Sequence, residues 1–396
     1  MICQKLKETV NSPSSGVIRK MFEEGAILKQ KYGAENVYDF SLGNPDLDPP
    51  QKVLDAINQV VSEETHLSHG YMPNPGYVET RAAMAKKTEV EQCVAVDYSN
   101  VVMAVGAAGA LNVVMKTLLN PEDEVVVPCP YFAEYDHYIK NYGGNIVRVS
   151  TKRDFSLDIN AIKVALSEKT AAVLINSPNN PSGRIYSQEE ILELVQVLKE
   201  HGNSTGRFPY LICDEPYRAI TYDNKKVASV FPYYDYSIIV TSFAKNLSLP
   251  GERIGYVCIN PSCPEKTDFL ACAIFATRTL GYVNAPAFFQ KVVALSWDAE
   301  CDYSLYEKRR NQLMQIMDEA GFEYARPEGA FYLFVKVPDN WNDDDMAYVN
   351  HLKKYNILCA PGSGFGGKGW FRIAYCVSEQ TILNSKNAWI KARKES

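Results

Sequence analysis

The sequence predicts an α/β fold: a large domain built on a mostly parallel sheet with helices on both faces, joined to a smaller α+β domain. Three observations carry that expectation. The middle of the chain holds short apolar runs, "EVVVPC" (124–129), "AAVLINSP" (171–178), "YLICDEP" (210–216) and "SIIVTS" (237–242). Runs that are apolar on consecutive residues make strands buried on both faces, as in a parallel sheet covered by helices. Amphipathic stretches lie between several of them, the alternation that produces such sheets. The C-terminal third then changes character, to one charged helical stretch followed by short strand-like runs.

Taken in order, the first ~40 residues are expected to cross over and join the smaller domain. "VVMAV" (101–105) leads through "GAAGA" into the helical pattern "LNVVMKTLL", a strand, a turn and a helix. The stretch "SQEEILELVQVLKEHG" (187–202) opens with a capping box, Ser187 to Glu190, which marks a helix start. Residues 301–321, "CDYSLYEKRRNQLMQIMDEAG", read as a long charged helix, followed by "GAFYLFVKV", "NILCAPG" and "WFRIAY" as strands. The expected divisions are an N-terminal arm with part of the small domain (1–45), the large domain (46–285) and the small C-terminal domain (286–396).

Composition narrows the function classes. The 396 residues are 46% hydrophobic and 22% charged, ordinary for a globular chain of two domains. A net charge of −6 gives no reason to expect a nucleic-acid partner. The ten cysteines show no C-x-x-C pair and no metal-ligand spacing. Several fall inside apolar runs, so buried reduced thiols and a cytoplasmic location are expected, with no bound metal. The stretch "MICQKLKETVNSPSSG" has charges throughout and no apolar core, so no signal peptide is expected. No run approaches the ~20 apolar residues of a membrane span.

Sheets of this kind bind ligands beyond the carboxyl ends of their strands. After "AAVLI" come Asn176 and "NNPSG", after "YLIC" comes Asp214, after "SIIVTSFA" comes Lys245, and after "VVMAV" comes the glycine turn. Lys245 has three readings. The spacing Ser242-x-x-Lys245 matches a serine nucleophile of the penicillin-binding type, but the companion S-D-N and K-T-G motifs are absent from the sequence. It reads equally as a surface lysine, or as an amine that attacks a carbonyl cofactor. The other strand ends favour the third. Pyridoxal phosphate needs a lysine for its aldehyde, a carboxylate for its pyridine nitrogen, and amides at a helix start for its phosphate. Asp214 and the turn Gly106–Gly109 offer the last two, although a lone aspartate there is also a common helix cap and a glycine pair a common tight turn. Arg253 and Ser242 could complete the phosphate site. A second glycine run, "GSGFGGKG" (362–369), nearly matches a nucleotide-binding loop. Gly369 stands where that motif requires Ser or Thr, and a strand follows instead of a helix, so a flexible loop positioning Arg372 is the better reading.

The stretches "SLGNPD", "GYMPNPGY", "VGAAGALN", "PCPYF", "SPNNPSG", "DEPY", "SFAK", "ERIGY" and "FRIAY" occur in the order found in the class I pyridoxal-phosphate aminotransferases. Through them the chain resembles the aspartate aminotransferase family, fold type I, over nearly its whole length. The resemblance implies the roles that follow. Lys245 is the Schiff-base lysine, and Asp214 pairs with the pyridine nitrogen. Tyr217 and Asn180 bond the cofactor's phenolic oxygen, and Phe132 stacks on its ring. Ala107 and Ala108 give backbone amides to the phosphate, Ser242 and Arg253 their side chains. Tyr71 reaches the phosphate of the partner subunit, which implies a homodimer with shared sites. Arg372 clamps the substrate's α-carboxylate, assisted by Asn180 and the Gly43 backbone. Arg278 falls near a second arginine that reads a distal carboxylate, about one residue out of register; a solvated helix residue is its other reading.

The implied activity is transfer of an amino group from an L-amino acid to a 2-oxo acid by a ping-pong route, aspartate-type with 2-oxoglutarate. Alanine or aromatic amino acids are alternatives, as is a C–S lyase or decarboxylase on the same fold. A transcription-regulator sensor of this fold would carry a DNA-binding domain ahead of it, and only about forty residues precede "SLGNPD".

Overall fold

The structure is a computed structural model and describes residues 2–11 and 17–396. After the helices Gln4–Asn11 and Val17–Tyr32, strand β1 (Tyr38–Asp39) leads into the large sheet. That sheet comprises β2 (Val101–Ala104), β3 (Glu124–Cys129), β4 (Asn145–Ser150), β5 (Thr170–Asn176), β6 (Tyr210–Asp214), β7 (Ser237–Ser242) and β8 (Gly255–Ile259), in the order β2-β8-β7-β6-β5-β3-β4. The neighbours from β4 through β7 pair in parallel. β8 runs antiparallel to both β2 and β7, and the sequence reading had no strand there. Both faces are covered, as expected. Val125 and Val127 face a layer with Leu111, Val114 and Phe269. Val126, between them, faces the opposite layer with Leu194, Leu198 and Val292. This alternation explains why the runs are apolar at every position.

The helix from Gln188 to Thr205 carries the expected capping box, with both Ser187 and Glu190 bonds formed, and ends at Gly206 in the left-handed region. The helix Ala287–Ser296, which the expected division puts at the start of the small domain, buries Val292 and Val293 against Val53 and Met84 in the core of the large sheet.

The second core lies in the C-terminal third. Strands β9 (Tyr324–Ala325), β10 (Tyr332–Lys336), β12 (Ala360–Pro361) and β13 (Trp370–Ala374) form an antiparallel sheet, with β11 (Ile357–Leu358) between β10 and β12 in sequence. Helices Ser304–Ala320 and Glu379–Lys394 bury Leu313, Met317, Ile382 and Trp389 with Phe371 and Ile373 of that sheet. "NILCAPG" therefore splits between two sheets, because β11 pairs in parallel with β1. That pair ties the N-terminal crossover to the small domain. Among the described residues no helix is long and apolar enough to cross a membrane, and the described cysteines are free thiols, most of them buried.

Candidate active site

The order of the large sheet reverses between β3 and β5, and a cavity of about 170 Å³ opens beyond the carboxyl ends of β5, β6 and β7. Such a reversal leaves a crevice because the flanking connections leave in opposite directions.

Lys245 sits in the short helical turn Phe243–Asn246 that follows β7, and lines this cavity. Its Nζ donates to the Gly43 carbonyl at 2.9 Å. Burial pulls the amine down from its usual value to about 8; the Cys376 thiol opposes this, while the Arg372 and Arg253 guanidinium groups add to it. A substantial fraction is neutral near pH 8, the form that can act as nucleophile or base.

Asp214 ends β6 and is 4% exposed. The Tyr135 hydroxyl donates to its Oδ2 at 2.5 Å, and the Asn176 amide to its backbone carbonyl at 2.8 Å. Its Oδ1 is buried without a partner. Burial pushes the carboxyl up to about 7, and the Tyr135 bond acts against that. A buried carboxylate oxygen of this kind suits a cationic N–H donor, which would return the group to its charged form.

At another wall, the helix Gly106–Leu118 begins directly after β2, and Ala107 and Ala108 of its first turn line the cavity with Ser242 and Arg253. Gly106 has φ +67, and a Cβ there would lie 2.8 Å from Arg253 Nη2, so the turn requires glycine. Helix-start amides, a hydroxyl and a guanidinium make an anion site. Phe132 forms an aromatic wall, its ring edge-on to Tyr135 at 5.6 Å.

Arg372, on β13, is 3% exposed. Its Nη1 donates to Asn180 Oδ1 at 3.0 Å and its Nη2 to the Ser41 carbonyl at 2.7 Å. Its guanidinium lies 4.5 Å from the Tyr332 ring centroid and 4.6 Å from that of Phe365. Nε is buried without a partner. The segment 41–43 thus pins both cations, Arg372 through Ser41 and Lys245 through Gly43. Asn180 is held in turn by its backbone N–H on Asn176 Oδ1 at 2.7 Å. The Tyr217 hydroxyl, also at the cavity, meets the Tyr332 hydroxyl at 2.8 Å.

These residues fit pyridoxal phosphate. An amine suits the aldehyde, the unpartnered Asp214 Oδ1 suits a ring nitrogen, the helix start suits a phosphate, and Phe132 offers a ring face. Two residues that the resemblance marked stand apart from this cavity in their own chain. Tyr71 is 94% exposed. Arg278 is exposed near the end of the helix Lys266–Thr279, its guanidinium 5.0 Å from the Phe275 ring centroid. The sequence reading missed Tyr135, Tyr332 and Tyr138, the last of which also lines the cavity. Tyr135 opens the helix Tyr135–Lys140 three residues after Phe132, a proximity that is its one sequence signal, and Tyr332 is an ordinary strand aromatic.

Residues 35–385 match the family model described as aminotransferase class I and II. A crystal structure of an aminotransferase from Eubacterium rectale superposes with a TM-score of 0.95 at 37% identity, covering 100% of this chain and 99% of that one. A probable aspartate/prephenate aminotransferase of Aquifex aeolicus is 29% identical over 91% of this chain and 92% of its own length. An aromatic-amino-acid aminotransferase of Thermococcus litoralis is 26% identical over 98% of both chains.

Proposed function

The chain belongs to the class I and II aminotransferases, and from that premise we propose that it is an aspartate-type enzyme, passing the amino group of an L-amino acid to 2-oxoglutarate with Lys245 as its proton carrier. The family depends on pyridoxal phosphate, which when bound supplies a reactive aldehyde and an electron-poor ring that accepts charge from the substrate's α-carbon.

The chain's own residues do the rest. Arg372 presents a planar guanidinium whose five N–H groups are only partly engaged by Ser41 and Asn180, which leaves donors for a two-pronged carboxylate contact. Lys245, held by Gly43 near Arg372, would take the α-proton of the substrate that Arg372 has oriented, carry it on Nζ as the ammonium and return it to carbon, a general acid–base role suited to an amine near 8. Asp214 keeps its charge when a cation faces Oδ1, and so holds a ring nitrogen protonated. Ala107, Ala108, Ser242 and Arg253 fix the anionic end, and Tyr217 and Asn180 the opposite edge. On this reading the enzyme is a cytoplasmic homodimer, with Tyr71 reaching the partner's phosphate site.

The observation that carries this reading is the segment 41–43, which anchors a carboxylate-binding arginine and a depressed-pKa lysine two residues apart. The aspartate preference rests on the names of the relatives. The test is a donor screen with 2-oxoglutarate, following cofactor absorbance. With aspartate alone, the expected enzyme stops after one half-reaction with the cofactor left as the amine, and 2-oxoglutarate restores the starting spectrum. Continued turnover of a lone amino acid would instead mark a lyase or decarboxylase. Turnover with alanine or aromatic donors but not aspartate would refute the aspartate preference.

A further inference from the structure

Tyr332 opens β10, beside β13, where Phe334 faces Arg372 across the pair. The side chain is 2% exposed. Its ring lies against the Arg372 guanidinium, 4.5 Å from centroid to carbon. Its hydroxyl is 2.8 Å from the Tyr217 hydroxyl. A Cβ on Gly43 would fall 2.0 Å from that same hydroxyl, so Tyr332 abuts the residue whose carbonyl holds Lys245. One side chain thus touches the carboxylate-binding arginine, the phenol at the cavity and the backbone behind the lysine.

We propose that Tyr332 is a positioning residue that couples occupancy of the Arg372 carboxylate site to the hydrogen bonding of Tyr217. The proposal rests on the aminotransferase reading of the site. A hydroxyl has one proton to donate. When the Tyr217 proton is committed to a bound cofactor oxygen, Tyr217 can only accept from Tyr332. The two hydroxyls then form a donating chain, and such chains strengthen each member. The Arg372 charge beside the Tyr332 ring makes that phenol a better donor. A carboxylate that pairs with Arg372 cancels the charge and weakens the chain. The ionisable groups facing Tyr332 are Arg372, Cys376, Tyr217 and Tyr375, and the Lys245 amine lies over the Tyr217 ring, 6.0 Å from its centroid. Replacing Tyr332 with Phe leaves all of these in place and removes only the hydroxyl.

The test is a pH titration of cofactor absorbance in the holoenzyme, with and without saturating succinate, an unreactive dicarboxylate. The wild-type midpoint is expected to rise when succinate binds. In Tyr332→Phe the midpoint without succinate is expected about 0.4–1 pH unit higher, the worth of one neutral hydrogen bond, and the further rise with succinate smaller. The double variant Tyr217→Phe/Tyr332→Phe is expected to titrate where Tyr217→Phe does, because both hydroxyls act through one chain. A Tyr332→Phe protein with a lowered melting temperature but wild-type midpoints would overturn the proposal, as would independent, additive shifts. Should Tyr332→Phe not fold, Tyr332→Leu removes the phenol without adding a donor or volume, and wild-type midpoints there overturn the proposal equally. A bound cofactor that L-amino acids do not convert to the amine would instead count against the aminotransferase reading itself.

Discussion

Arg372→Lys keeps the charge at the proposed carboxylate site and removes the fork. The arginine now spends Nη1 on Asn180 at 3.0 Å and Nη2 on Ser41 at 2.7 Å while lying between two rings. A lysine has three donors on a single nitrogen, so it cannot span both acceptors and still offer two parallel prongs to a carboxylate. At least one charge-assisted hydrogen bond to substrate is lost, worth about 1.5–3 kcal/mol. That corresponds to a fall of roughly 10- to 150-fold in kcat/KM. The assay is single-turnover reduction of cofactor absorbance by L-aspartate, run beside a primary amine that carries no carboxylate. The amine should react equally with both proteins. A variant within about twofold of wild type on aspartate, or one equally impaired on the amine, would refute the assigned role.

Asp214 makes the apoprotein's stability depend on pH. Its carboxyl is raised to about 7 from an ordinary value of 3.8, so the native state binds more protons than the unfolded one between those values, and stability falls as pH rises from about 4 through about 7. Glu215 is raised in the same direction and gives the same slope, so melting curves of apo wild type and apo Asp214→Asn isolate the Asp214 part: the variant should lose less stability over that range, and parallel slopes would contradict it. Capture of pyridoxal phosphate by the apoprotein should speed up as pH rises and level off above about 8, because only the neutral Lys245 amine attacks an aldehyde; stopped-flow absorbance measures this, and a flat profile contradicts it. Gly43→Ala should lower the melting temperature by the equivalent of ~1–3 kcal/mol of overpacking, since its Cβ would sit 2.0 Å from the Tyr332 hydroxyl, and Tyr332→Phe in the same chain should restore part of that. Arg278→Ala should weaken aspartate far more than alanine in steady-state assays if Arg278 reads a distal carboxylate; equal losses would remove that role.

Local sequence determined the parts of this protein that are local in cause. Buried strands needed apolar residues at every position, so β3, β5, β6 and β7 were legible as runs, and the polar residues ending them, Asn176, Asp214, Ser242 and Lys245, stood out against that background. The capping box at Ser187 and the glycine-marked helix start at Gly106 were legible for the same reason, that the chemistry of a helix start lies within four residues, although Gly106–Gly109, read as a turn ahead of the helix, forms the helix's own first turn. β8 was not, because nothing in the run "GYVCI" states its direction or its place between β2 and β7. The partners that tune the site were decided by the fold alone. Tyr135 meets Asp214 across 79 residues of chain, Tyr332 meets Tyr217 across 115, Lys245 meets Gly43 across 202 and Arg372 meets Ser41 across 331. A pattern of spacing carries information over a few turns of helix or strand. Which phenol lies beside a buried carboxylate depends on how a helix packs on the large sheet, and which carbonyl meets Arg372 on how the N-terminal crossover meets the small domain, and only the assembled structure fixes either.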